Sequence, residues 1–351
     1  MRPPFAWDTY SDQPALLKDK AYKKQQRRQQ IGAYIKLLLT AMLMFPVTLL
    51  VMPWLRAQPQ KTHQADFYGM GVELDKGEAQ FALLQELGVQ HVLVRMPLWE
   101  MARLDDYVVF IRRLHEQGLT VFVNVLQDRE HIEDLMLLKQ DLTQIFQALE
   151  PYAQEFQIGN AINRAKWGFF SVDEYLRFYQ AVQQLSDKSF TQLKLIGPAV
   201  IDFEYHHTIR ALFNFCSIRY DRLSSLLYVD RRGAPQHKQM RFFDTRQKIK
   251  LLYAMAWLSR KVLQKQFYVT EVNWPLQNTA PYAPTSEKEC VSPQDYAKFM
   301  RDYHAIALQT GMVERVYWHQ LIAPGYGLVD NREGELKKYP AFDAYRKMVR
   351  I

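Results

Sequence analysis

Eight short apolar runs rich in β-branched residues, each followed by a longer amphipathic stretch, occupy the chain from Phe67 onward. They are FYGMGVEL, VQHVLVRMPL, TVFVNVLQ, EFQIGNAIN, LKLIGPAVI, SSLLYVD, QFYVTEVNW and RVYWHQL, beginning near 67, 89, 120, 155, 193, 224, 266 and 315. The segments between them, such as DDYVVFIRRLHEQG and KIKLLYAMAWLSRKVLQ, repeat apolar residues three and four apart, the period of a helix packed on one side. The glycine of HEQG falls where a helix stops, and SVDEYLRFY opens with a serine cap and early acids. Strands that alternate with helices run parallel, so the pattern predicts one closed (β/α)8 barrel, for which 351 residues leave ample room. A doubly wound open sheet would need a glycine-rich phosphate turn after its first strand, whereas GMGVEL keeps its glycines inside the strand. Walker-type loops, HExxH helices and nucleophile-elbow serines are absent from the sequence.

In such a barrel, polar residues at the carboxyl ends of the strands face the site. Those ends supply Glu73, Arg95, Asn124, Asn160, Asn163, Asp230, Glu271, Asn273, Trp318 and His319. Carboxylates, amides, an arginine and an indole suit a sugar, whose hydroxyls take hydrogen bonds and whose C–H face stacks on an aromatic ring.

Before the barrel lies Leu37–Leu55, 19 residues without a charge. At about 1.5 Å per residue this stretch approaches the roughly 30 Å of a bilayer core. Its prolines, Pro46 and Pro53, are tolerated in membrane spans, and Trp54 falls where an interfacial aromatic would. Lys18, Lys20, Lys23, Lys24, Arg27 and Arg28 precede it, and Arg56 and Lys61 follow. The positive-inside rule then puts the N-terminus in the cytoplasm and the barrel across the membrane, in a periplasmic or other extracytoplasmic space. A cleaved signal peptide fits less well, because the apolar stretch is long and MPWLRAQPQ offers a poor cleavage site. The expected organisation is a basic tail at 1–36, a transmembrane anchor at 37–55, a linker at 56–65 and the barrel at 66–351.

Charge distribution narrows the partners further. The formal net charge is +8, but residues 1–61 hold ten Lys/Arg against three Asp, leaving 35 basic and 34 acidic residues for the remainder. That balance argues against a nucleic-acid footprint on the barrel. No metal or cofactor is expected. His206 and His207 with Glu204 and Asp202 suggest a metal cluster, but adjacent histidines on an extended segment point opposite ways. Cys216 and Cys290 read as two separate small hydrophobes, with one bridge as the alternative.

Four phrases carry a resemblance to a known family. QIGNAIN ends the fourth strand, LLYVDRRG belongs to the sixth, YVTEVNW forms the seventh, and VYWHQLIAPGYGLVDNREGELKKYPAFDAY closes the chain. Together, over residues 66–346, they resemble the retaining glycoside hydrolases built on (β/α)8 barrels. The resemblance implies Glu271 as nucleophile, Tyr228 touching it, Asn160 on a sugar hydroxyl and Trp318 stacking below the ring. It also places Ala161 where the family carries its acid/base glutamate. Retaining enzymes hold two carboxylates about 5–5.5 Å apart, and an alanine protonates nothing. Three alternatives follow. Glu73 or Asp230 supplies the proton; or the barrel is an inactive relative that binds a glycan or organises partners; or it acts on a ligand that needs no protein acid. Arg95 and Trp167 are candidate ligand contacts, Asn124 and Asn163 candidate amides, and Arg164 and Lys166 could orient an anionic sugar. The long loop after Glu271, with Tyr282, and the basic loop after Asp230 would flank the cleft. The implied role is action on, or binding of, a cell-envelope or extracellular polysaccharide at a bacterial inner membrane.

Overall fold

The computed structural model describes residues 1–56, 64–230 and 233–350. Most of the expected linker at 56–65 and the arginines Arg231 and Arg232 lie outside the described residues.

Eight parallel strands close a barrel: β1 Tyr68–Val72, β2 His91–Pro97, β3 Thr120–Leu126, β4 Ala153–Ile158, β5 Lys194–Ile201, β6 Tyr220–Leu226, β7 Val262–Val269 and β8 Val313–Trp318. Each pairs with its sequence neighbours, and β8 returns to β1 through Val316–Tyr68 and Tyr317–Gly69. Gly69 is required there, since a Cβ would stand 2.5 Å from the Tyr317 ring. The helices are α1 Lys20–Gln29, α2 Ile31–Val51, α3 Ala79–Leu87, α4 Leu104–Glu116, α5 Arg129–Glu133, α6 Leu135–Leu149, α7 Val172–Ser189, α8 Tyr205–Leu212, α9 Thr245–Leu258, α10 Pro293–Thr310 and α11 Pro340–Val349. Ser171 caps α7 by accepting from Glu174 N, and Gly118, just past α4, adopts φ +80°. The start and stop signals read in the sequence are therefore both used.

The alternation of strand residues sorts the core into two zones. Val92, Val94, Val121, Val123 and Val316 point outward under the helices, in the main apolar cluster. Leu93, Phe122, Ile196, Tyr268 and Tyr317 point inward and fill the barrel. Phe122 and Tyr317 stack with centroids 5.3 Å apart. Below this plug Arg222 is clamped by Glu155 and Glu314 at 2.9 and 2.6 Å. Above it, at the carboxyl ends, stand Arg95, Asn124 and Asn160, so the apolar layer separates a structural ionic floor from a polar mouth.

Strands β6 and β7 begin about four residues earlier than the sequence suggested, at Tyr220 and Val262. Their first residues escape an apolar pattern because Arg222 serves the polar floor, Gln264 is exposed, and Lys265 Nζ donates to the carbonyls of Ala256, Ser259 and Val262. Strand β7 ends at Val269, so Glu271 lies beyond it rather than inside it.

The apolar segment forms helix α2 and continues through a 3-10 turn at Met52–Trp54. The span Ile31–Trp54 is long and apolar enough to cross a membrane by length and composition. In the structure it lies against the outer ring, packed mainly on α8 and α9. Phe45 stacks on Tyr205 at 4.2 Å, Tyr34 Oη donates to Phe170 O at 2.7 Å, and Lys36 pairs with Asp173 at 3.2 Å. Leu38, Leu39, Met42, Leu43, Val47 and Leu50 remain exposed along its outer side. Residues 1–19 precede α1 and reach the carboxyl face of the barrel, where Trp7–Asp8 pairs with Gln13–Pro14 in a two-residue ladder.

Candidate functional site

The site grows from the turn after β4. Gly159 and Ala161 both adopt left-handed φ, +87° and +45°, so the chain leaves the strand through a tight reversal. Gln127, from the end of β3, staples this turn: its Oε1 accepts from Asn160 N at 2.8 Å, and its Nε2 donates to Asn160 O and Trp167 O at 2.9 Å each. Asn124 Nδ2 donates to Asn160 Oδ1 at 3.1 Å, and Gln157 Nε2 donates to Asn124 Oδ1 at 2.9 Å. This ladder fixes the Asn160 amide while its Nδ2 stays without a partner among the described residues. Asn124 therefore acts one layer below, holding Asn160.

Opposite this turn, the Tyr228 hydroxyl donates to Glu271 Oε1 at 2.6 Å. Glu271 and Tyr228 share one cavity with Asn160, Ala161, Trp167 and Arg95. His319 lines it too, its ring stacked on Tyr326 at 5.4 Å, and Asn273 Nδ2 donates to His319 O at 2.7 Å. Burial pushes the His319 imidazole down to about 4, against the pull of Glu271, so it stands neutral at ordinary pH. Burial likewise depresses the Lys166 amine to about 8, although Glu271 and Asp8 favour its charged form.

The structure thus gathers Glu271, Tyr228, Asn160, Arg95 and Trp167 around one opening and leaves five other candidates outside it, Asn124 one layer below and four elsewhere. Trp318 is turned outward: it stacks on Trp274 at 5.9 Å, and its Nε1 donates to Tyr296 Oη at 2.8 Å. It packs under α10, and the residue after it, His319, takes the inward place. Asn163 staples β4 to β5, donating to Ile201 O at 3.0 Å and accepting from Ile201 N at 2.9 Å. Asp230 lines a neighbouring surface cavity with Arg164, Asp202 and Glu204. Glu73 pairs with Arg95 at 3.1 Å and Lys76 at 3.7 Å behind the cavity wall. Burial and the nearby Asp12 raise its pKa, while Arg95 and Lys76 oppose them.

His206 and His207 begin helix α8 rather than an extended segment, so the expectation that they diverge does not hold. Their nitrogens and a Glu204 oxygen lie within 4.8 Å of one another. Asn163 and Arg164 already engage Glu204, the arginine as an ion pair that would oppose a cation there. Arg164 is consumed by Glu204 and Asp202 and does not face the cavity. Cys216 and Cys290 are both free thiols.

Sequence reasoning missed the N-terminal tail, which supplies Ser11, Asp12 and Gln13 to the cavity wall. It also missed Tyr326 and Gln320, beyond the last strand. Tyr282 packs edge-on against Tyr10 of the tail at 5.4 Å.

No family model and no curated protein matches this sequence. Among solved structures, the chain is similar to the GH1 beta-glucosidase from Exiguobacterium antarcticum B7, with 9% identity over 83% of this chain and 98% of that one and a TM-score of 0.58. It is similar to a GH39 beta-xylosidase from Caulobacter crescentus, with 12% identity over 84% of this chain and 73% of that one and a TM-score of 0.58. The family 30 subfamily 8 xylanase from Clostridium acetobutylicum gives 12% identity, the same two coverages and a TM-score of 0.56. At these identities the likeness is one of fold, a (β/α)8 barrel shared with glycoside hydrolases.

Proposed function

We propose that this chain is a membrane-associated, glycoside hydrolase-like barrel that takes a cell-envelope or extracellular polysaccharide at its mouth, with Glu271 as the nucleophile. One observation carries the reading: Glu271 faces a cavity at the carboxyl ends of the strands and is held there by the Tyr228 hydroxyl. A carboxylate so oriented can attack an anomeric carbon, and the unpaired Asn160 Nδ2 beside it suits a sugar hydroxyl. Incubating the full chain with activated fluoro-glycosides, which trap a glycosyl-enzyme, should add a glycosyl mass to the peptide holding Glu271. Glu271→Gln should abolish the adduct.

A second reading, a non-catalytic glycan-binding or assembly protein, is favoured by the methyl group of Ala161 in the same cavity wall. Neither Glu73 nor Asp230 lines that cavity. If no fluoro-glycoside labels a chain that binds the parent sugars, the binding reading replaces the catalytic one.

The lipid bilayer enters through α2, whose outer apolar stripe and preceding basic helix α1 suit an anionic membrane surface. Charge asymmetry around residues 37–55 favours a crossing with the N-terminus cytoplasmic and the barrel periplasmic. The tail seated in the barrel mouth favours tail and barrel on one face, with α2 lying along the barrel. Leu16→Cys and Phe215→Cys, both at exposed positions, separate the two arrangements in a Cys216→Ser background. In sealed vesicles, an impermeant maleimide that labels both from one side supports the one-sided arrangement; labelling from opposite sides supports the crossing.

A further inference from the structure

The N-terminal tail does more than rest on the barrel. Phe5 and Leu17 are buried with Phe170, which anchors both ends of the segment. Between them Trp7 sits 5.3 Å from Trp99 and 6.0 Å from Trp167, with the Arg95 guanidinium 5.3 Å from its ring centre. The short ladder turns the chain so that Ser11, Asp12 and Gln13 drop into the cavity that holds Glu271.

Asp12 is received there by several barrel groups. Its carboxylate accepts from Lys76 Nζ at 2.8 Å, Tyr326 Oη at 3.1 Å and Gln320 Nε2 at 3.4 Å. Arg95 Nη2 donates to its backbone carbonyl at 2.7 Å. These donors come from β2, the loop after β1 and the loop after β8, so the barrel itself builds the receptor. Asp12 reaches it at φ +48°, a left-handed conformation that aspartate tolerates better than most residues. It also brings a second carboxylate up to the half-buried Glu73, whose protonation it favours. Two carboxylates crowded together do not stabilise a mouth, but a subsite built to hold a carboxylate accepts one.

With the tail in place the cavity encloses only about 70 Å³, against roughly 300–1,000 Å³ for sites that hold small organic ligands. That leaves little room for a sugar ring beside the seated tail. With the tail lifted, Lys76, Arg95 and Lys166 would face Glu73 and Glu271, an excess of one positive charge. Buried Gln320 Oε1 and Arg95 Nε, both without a partner among the described residues, would be available for further polar contacts.

We infer that Lys76, Gln320 and Tyr326, flanked by Arg95, form a carboxylate-binding subsite that Asp12 fills in the closed state, and that the ligand admitted when the tail lifts is an acidic, uronate-type saccharide. The inference rests on the saccharide reading above and on tail and barrel sharing one membrane face. Trp7, tilted on Trp99 and edge-on to Trp167, fills the groove beside the subsite.

The test uses the full chain in detergent, with tri-galacturonate, its carboxyl-reduced counterpart and glucose 6-phosphate as probes in calorimetric titrations. Asp12→Ala should bind tri-galacturonate at least tenfold more tightly than the wild type does, and tenfold more tightly than it binds the reduced trisaccharide. Adding Lys76→Ala should erase that preference. Asp12→Asn, which keeps the shape and removes the charge, should bind between the wild type and Asp12→Ala. Maleimide labelling of Ser11→Cys, a buried position in the seated tail, should be slow in the wild-type background and fast with Asp12→Ala. Equal binding of the acidic and reduced trisaccharides, or binding of the sugar phosphate alone, overturns the carboxylate subsite and leaves the saccharide reading standing. Binding of no saccharide by a chain whose Ser11→Cys labels quickly overturns both. Rapid labelling in the wild-type background shows the tail unseated and overturns the inference alone.

Discussion

The hydroxyl of Tyr228, just beyond β6, donates to Oε1 of Glu271, just beyond β7, at 2.6 Å. Both residues stand past the last hydrogen-bonded residue of their strands, so the loops rather than the sheet set this geometry. A phenol that donates to a carboxylate fixes which oxygen is free to attack and stabilises the charge it carries. A hydrogen bond to a charged group contributes about 1.5–3 kcal/mol. Tyr228→Phe should therefore slow glycosyl labelling of Glu271 about 10- to 100-fold while leaving thermal unfolding nearly unchanged. An unaltered labelling rate would mean the contact is not used in the chemistry.

Ala161→Glu tests whether the site lacks only its acid. Ala161 already carries a Cβ at φ +45°, so a glutamate adds no new backbone strain. The position is fully buried, and burial raises a carboxyl pKa toward the range a proton donor needs. In an Asp12→Ala background, which opens the mouth, Ala161→Glu should raise hydrolysis at least tenfold. The gain should be largest for glycosides with poor leaving groups, where protonation matters most. A folded variant with no gain would show that the cavity serves binding.

These two residues also mark how far the sequence could be read. The barrel was legible because valines and isoleucines recur at strand spacing and the helices carry a separate period. Glu271, Asn160 and Tyr228 were singled out because the phrases around them resemble a family, and they line one cavity. Trp318 and Asn163 were misassigned for a local reason: near a strand end, one residue of register decides between the mouth and the outer layer. Trp318 falls on the outer side and His319 on the inner. Asn163 lies far enough round the turn to spend its amide on Ile201. The tail was not legible at all. Trp7 and Asp12 lie in a short irregular stretch without periodicity, and the charge asymmetry around α2 points to the opposite membrane face for the tail. Their partners, Arg95, Trp99, Lys76 and Tyr326, are long-range contacts that no local pattern announces.

Helix α2 makes a prediction that does not depend on the site. Its outer residues, among them Leu39 and Leu43, are exposed, while Leu37 and Thr48 are buried against the barrel side. The chain should co-sediment with anionic vesicles, and Leu39→Glu with Leu43→Glu should release most of it to the supernatant. Each acidic substitution in a lipid-facing apolar stretch costs up to about 3 kcal/mol, roughly a hundredfold in partition. Near-ultraviolet circular dichroism should stay unchanged, since neither residue supports the barrel core. Retention of the variant on vesicles would assign membrane attachment to another part of the chain.

Lys166 gives a dependence on pH whose sign follows from its surroundings. Burial lowers its pKa from 10.5 to about 8, with Glu271 pulling the other way. Below pH 8 both folded and unfolded chains carry the proton, and the folded state bears the full cost of burying the charge. Between about pH 8 and 10.5 the unfolded chain holds the proton and the folded chain has released it, so the Lys166 contribution to stability rises with pH across that window. Other buried groups titrate there too, so the informative quantity is a difference. The stability of Lys166→Met minus that of the wild type, from urea unfolding, should be largest below pH 8 and shrink steadily toward pH 10.5. A difference that stays constant with pH would show the amine titrating at its ordinary value, free of the desolvated place beside Glu271. Lys166→Arg should not reproduce the slope, because a guanidinium keeps its proton throughout the range.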